Sequence, residues 1–154
     1  MSLACLVLAA CSSKEAPEFC RDHTQFHAEH VASTVTASVS MAADGGIISE
    51  FRLPISTFGQ QTTMNVLQDA DNVYALQTAT ECTTANVKLE SFQGSIIASY
   101  SSDCGAGNRL EQVDVLLFES LPIMDEVDVT VITPVTQKHF AIHRQCDSAI
   151  FRFE

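Results

Sequence analysis

Cys82 and Cys104 stand eleven residues on either side of Gln93, and this symmetry constrains the fold more than any other feature of the chain. Val87-Lys88-Leu89-Glu90 and Ile96-Ile97-Ala98-Ser99-Tyr100 flank the turn Phe92-Gln93-Gly94-Ser95, so the stretch reads as a β-hairpin. In a hairpin of that register the two cysteines face each other across the open end. A Cys82–Cys104 bridge is therefore expected, and closing that loop stabilises the fold by about 3 kcal/mol on a chain-entropy argument.

Alternation carries the fold class further. Val31, Val35, Ala37, Val39 and Met41 alternate with Thr34, Thr36, Ser38 and Ser40, the period of a half-buried strand. Asp44-Gly45-Gly46 turns the chain, and Ile47, Phe51 and Leu53 continue on a second strand that Pro54 ends. Met64, Val66 and Leu67 suggest a short helix, while Val73-Tyr74-Ala75-Leu76 suits a strand. After Gly105-Ala106-Gly107, Asn108 with Glu111 three residues on resembles a capping box. Leu110, Val113, Leu117 and Leu121 then form a stripe at helical spacing that Pro122 terminates, which predicts a helix there. Val127, Val129 and Val131 alternate on a further strand, Phe140 and Ile142 point inward on the next, and Ala149, Phe151 and Phe153 make a last one. The expectation is an α+β fold, mainly antiparallel β-sheet with hairpins and one or two short helices, stabilised by disulfides.

Leu8-Ala9-Ala10-Cys11 closes an apolar start and looks like a bacterial lipobox. Leu3 to Ala10 suits a signal-peptide core but is far short of the ~20 residues of a bilayer span. Met1-Ser2-Leu3 lacks the Lys or Arg with which such leaders usually begin. The composition then flips to Ser12-Ser13-Lys14-Glu15-Ala16-Pro17-Glu18, a polar tether that cannot pack. The reading is a signal peptide over residues 1–10, a lipidated Cys11 with a tether over 11–19, and one domain over 20–154, held by lipid in the bacterial periplasm or envelope. With Cys5 removed and Cys11 acylated, Cys20, Cys82, Cys104 and Cys146 remain in a compartment where disulfides persist, and three pairings are open to them. If Cys82 pairs with Cys104, Cys20–Cys146 staples the ends of the domain. Alternatively, Cys20 and Cys146 stay reduced as thiolate ligands. The formal charge of −11, with 19 acidic residues against 8 Lys and Arg, excludes nucleic acid as a partner, because phosphate neutralisation needs clustered cations.

The second half carries a resemblance. Asp114-Val115-Leu116-Leu117-Phe118-Glu119-Ser120-Leu121-Pro122, followed by Val127-Asp128-Val129-Thr130-Val131-Ile132-Thr133-Pro134, resembles a family of small secreted bacterial zinc-binding proteins linked to zinc uptake. That family's pattern there is a Leu-Phe pair, a Phe-Pro, a Val-rich strand and a Thr-Pro turn. Cys82 and the Tyr100 to Cys104 stretch fall where the family carries its cysteines, and the likeness extends loosely back to residue 28. The matched residues are packing and turn positions, so they speak to fold more than to chemistry. The resemblance implies a bound divalent metal, zinc above all, and a metal-uptake transporter as partner. One departure matters: the family carries a His-rich acidic run in the hairpin between the cysteines, and here that hairpin contains no histidine.

All five histidines fall in two short stretches, Cys20-x2-His23-x3-His27-x2-His30 and His139-x3-His143-x2-Cys146. His139 and His143 are expected on one face of a strand, opposite Phe140 and Ile142. His23 and His27 would share a face of a helix. A Cys20–Cys146 bridge would bring the two groups together, and imidazoles with Asp22 or Glu29 beside them suit Zn²⁺. The expected geometry brings the imidazoles of His139 and His143 within about 4 Å of one of His23, His27 and His30, as ligands of one ion. The bland alternative is a set of exposed polar side chains. No carboxylate pair, nucleophile motif or phosphate-binding Gly loop stands out, so an enzyme is not expected. Two functions remain, a metal-binding accessory to uptake and a lipid-anchored interaction module that binds no metal.

Overall fold

The computed structural model describes residues 35–83 and 85–144. The expected leader and the expected terminal strand, with His23, His27, His30, Cys20 and Cys146, therefore lie outside the described residues. The first alternating run forms β1 (Val35–Met41), with Val35, Ala37, Val39 and Met41 buried. Asp44 accepts the Gly46 amide at 3.0 Å and shapes the turn into β2 (Gly46–Pro54). Gly45 must be glycine. Its φ is +90°, and an added Cβ would lie 2.0 Å from the Gly105 carbonyl oxygen, because this turn packs against the chain just beyond Cys104.

The disulfide-closed hairpin forms as expected. β4 (Asn86–Phe92) and β5 (Ser95–Asp103) pair around Gln93 and Gly94, whose φ values of 47° and 75° suit a two-residue hairpin turn. Cys82 and Cys104 are bonded, closing a separation of 22 residues. β5 also pairs with β2 over nine residues. On the other side, β1 pairs in parallel with β7 (Glu126–Ile132), and β7 pairs antiparallel with β8 (Gln137–His143). The result is one six-stranded sheet, β4-β5-β2-β1-β7-β8, antiparallel except for the β1–β7 pair.

One face of this sheet carries the core: Phe51, Leu53, Ala98, Tyr100, Val127, Val129 and Val131 are each 1% exposed or less. A second layer covers that face. It consists of α1 (Ile55–Phe58), α2 (Gln60–Leu67), a two-stranded ribbon of β3 (Tyr74–Thr78) and β6 (Leu110–Val115), and the single turn α3 (Leu117–Ser120). Phe51, Tyr74 and Tyr100 meet between the layers at ring-centroid distances of 5.2 to 6.1 Å. There the Tyr100 hydroxyl donates to the Leu67 carbonyl at 2.6 Å, taking up a carbonyl of the last turn of α2. At the far end, Arg144 donates to the carbonyls of Leu121 (2.7 Å) and Met124 (3.0 Å) and lies over the Phe118 ring, pinning α3 and the loop after it.

One expected element is different. The helix predicted from Asn108 to Leu121 is strand β6 followed by the one-turn α3. Leu110 and Val113, three apart, are both buried as in a helix, yet a register shift against Gln77/Thr78 accounts for it. The extra residue on the β6 side of this bulge returns the chain to the same face after three steps instead of two. Asn108 caps no helix. Its side chain ties two loops together, donating to the carbonyls of Thr80 and Cys104 and accepting from the amides of Thr80 and Arg109.

Removing the Tyr100 hydroxyl leaves the Leu67 carbonyl buried without its partner. Tyr100→Phe should cost about 1–3 kcal/mol in urea denaturation. Burial also pushes the pKa values of Tyr100 and Tyr74 above the ordinary 10.0. The folded chain thus keeps phenolic protons that the unfolded chain releases, so stability should be unaffected by these groups below about pH 10 and fall above it. A Tyr100→Phe variant should lose alkaline stability less steeply; an identical slope would contradict this account.

Candidate functional site

The described histidines stand on the face of the sheet that no other described element covers. Register places Lys88, Ser99, Glu50, Ser38, Thr130 and His139 in one line across the six strands. A second line runs through Glu90, Ile97, Arg52, Thr36, Asp128 and Ala141. These positions are the polar partners of the buried alternation, so the strand period that builds the core also sorts serines, threonines and charges onto the opposite face.

His139 and His143 project from this face of β8, while Ile142 is buried and Phe140 packs against the core. The expectation that the two histidines share a side is met. Each is held by its cross-strand partner: His139 Nδ1 lies 2.9 Å from Thr130 Oγ1, and His143 Nδ1 lies 3.2 Å from a Glu126 carboxylate oxygen. His139 Nε2 also lies 3.1 Å from the Gln137 amide nitrogen. An amide nitrogen can only donate, so Nε2 of His139 accepts and Nδ1 carries the proton. At His143 the carboxylate likewise accepts from Nδ1, which leaves the lone pair of the neutral ring on Nε2.

Four steps along a strand put the Cα atoms of His139 and His143 about 13 Å apart. Each ring is bonded to a different residue of β7, so the two do not converge with each other. Among the described residues, no group of three or more His, Cys, Asp or Glu side chains is placed to hold a metal ion. The other proposed ligands, His23, His27 and His30, with Asp22, Glu29, Cys20 and Cys146, lie outside the described residues. Nothing in the sequence marks Glu126 as a partner of His143. Its partnership with His143 depends on the β7–β8 register, and no local motif announces it.

The donor chemistry nonetheless suits zinc at His143. A carboxylate that accepts from one ring nitrogen orients an imidazole, fixes its tautomer and strengthens the other nitrogen as a ligand. Asp128 stands on the same face one pairing position away. No family model matches the chain, and no curated protein matches it.

The His143–Glu126 contact is half open to solvent, with side-chain exposures of 35% and 40%. Such pairs add little to stability. His143→Ala and Glu126→Gln should each shift the unfolding free energy by no more than about 1 kcal/mol in chemical denaturation. A larger loss would mark the pair as part of the fold's framework.

Proposed function

We propose that this protein is an extracytoplasmic binding protein that captures zinc or a similar divalent cation and serves a metal-uptake system. In this reading it is anchored by lipid on Cys11, and Ser12 to Phe19 form the tether. The observation that carries it is the His143–Glu126 pair, a histidine in the protonation arrangement of a metal ligand. Support comes also from the segregation of all five histidines into two terminal stretches and from the resemblance of the 82–134 region to the zinc-binding family. His143 would supply one side of the site and His23, His27 and His30 the other, while His139 stands on the same face about 13 Å along the strand, outside that site. Chain-wide acidity assists by raising the local concentration of cations.

The second reading, a lipid-anchored interaction module without metal, rests on the breadth of the uncovered sheet face. Zinc titration by calorimetry separates the two. The metal reading expects saturable binding by the full chain, lost in His143→Ala and weakened about tenfold or more in Glu126→Gln. Absence of saturable binding, or binding unchanged in both variants, would leave the interaction module.

A further inference from the structure

The covering layer stops short of the sheet's β4 edge. Val87 belongs to the core-facing set of β4 and stands opposite Tyr100, yet Val87 is 42% exposed while Tyr100 is fully buried. Between β3 and this uncovered strip runs a groove of about 900 Å³. All of β3 lines one side of it, and Val87 and Ser102 line the other. Among the described residues β3 is hydrogen-bonded only to β6, and β4 only to β5. Each of these two strands thus has one edge that no described strand pairs. Exposed edges invite unwanted pairing and are usually blunted by charge, proline or a covering element. The β4 edge has this protection, with Lys88 and Glu90 paired across its outer face. β3, with the sequence Tyr-Ala-Leu-Gln-Thr, has neither charge nor proline.

The groove also has a charge pattern. Asp69 and Asp71 stand before β3, and Glu81 and Glu111 line the groove beyond its other end. No lysine or arginine is among the lining residues. Neither ion pair found among the described residues involves these four carboxylates.

We propose that the groove binds an extended, basic segment of a partner protein by strand addition to the free edge of β3. The segment's backbone completes the ladder that β3 leaves open, one apolar side chain covers Val87, and lysine or arginine at each end meets the carboxylate pairs. Such pairing takes its affinity from main-chain hydrogen bonds and its selectivity from alternate side chains. This surface is separate from the histidine face and does not rest on metal binding.

The probe is a blocked heptapeptide with two lysines at each end and a Val-Thr-Val centre, titrated into the full chain and followed by calorimetry and amide NMR. Saturable binding is expected, with amide shifts on β3 and with Leu76 gaining protection from hydrogen exchange. An otherwise identical peptide with N-methylated valines cannot complete the ladder and should bind at least tenfold more weakly. The same loss is expected for a glutamate-ended peptide, and for the lysine peptide against the Asp71→Asn/Glu111→Gln variant. No binding of the lysine peptide overturns the proposal. Equal binding of the N-methylated peptide overturns it too, because attraction is then electrostatic only, and shifts confined to the outer face would place the site elsewhere.

Discussion

The Tyr100 hydroxyl, bonded to the Leu67 carbonyl within the rings of Phe51 and Tyr74, is the joint on which the two layers of this protein depend. Tyr100 rises from β5 in the large sheet, Tyr74 belongs to the covering ribbon, and Leu67 ends α2. One side chain therefore ties the sheet to both the ribbon and the helix. The hydroxyl could be buried only with a partner, and a carbonyl at the end of a helix is an acceptor in need of one. Ser49 and Ser102 offset part of the burial effect on the neighbouring Tyr74 hydroxyl, although Ser49 Oγ makes no hydrogen bond of full geometry among the described residues.

A cover fastened at that point protects one face and leaves two surfaces. No described element covers the opposite face of the sheet, and the parallel β1–β7 pair extends it to β8, where His139 and His143 stand. On the covered side, β3 lies over the middle of the sheet and leaves the inner side of β4 bare around Val87. The histidine face and the groove are thus products of one packing decision, in which a narrow second layer covers a wide first one. They differ in chemistry. The face offers imidazoles oriented by carboxylate and hydroxyl partners, and the groove offers an unpaired strand flanked by carboxylates.

What could be read from the sequence was what is local. The alternation of Val35, Ala37, Val39 and Met41 specified β1, and the symmetry about Gln93 specified both the hairpin and Cys82–Cys104. Helix α2 and strand β3 each correspond to one of the two signals in the 59–80 region, Met64 to Leu67 and Val73 to Leu76. β6 escaped because a bulge gives Leu110 and Val113 the spacing of a helix, and Asn108 beside them is as useful for tying loops as for capping. The β1–β7 pair and the Glu126–His143 contact were hidden for another reason: each joins residues far apart in the chain, and neither leaves a periodic trace. The groove is hidden further still, since it is defined by where the second layer ends. The shared face of His139 and His143 was legible, but strand spacing holds their rings on separate partners, so convergence on one ion depends on ligands beyond β8.

The central claim is that the uncovered sheet face works through His143, with Glu126 holding its Nδ1 proton. Nitrogen-15 NMR of the imidazole rings during zinc addition tests it most directly. The account predicts that Nε2 of His143 moves to the shift of a metal-bound nitrogen at stoichiometric zinc, while Nδ1 remains protonated, and that Glu126→Gln weakens the response. A protein that saturates with zinc while both nitrogens of His143 keep their metal-free shifts would contradict it.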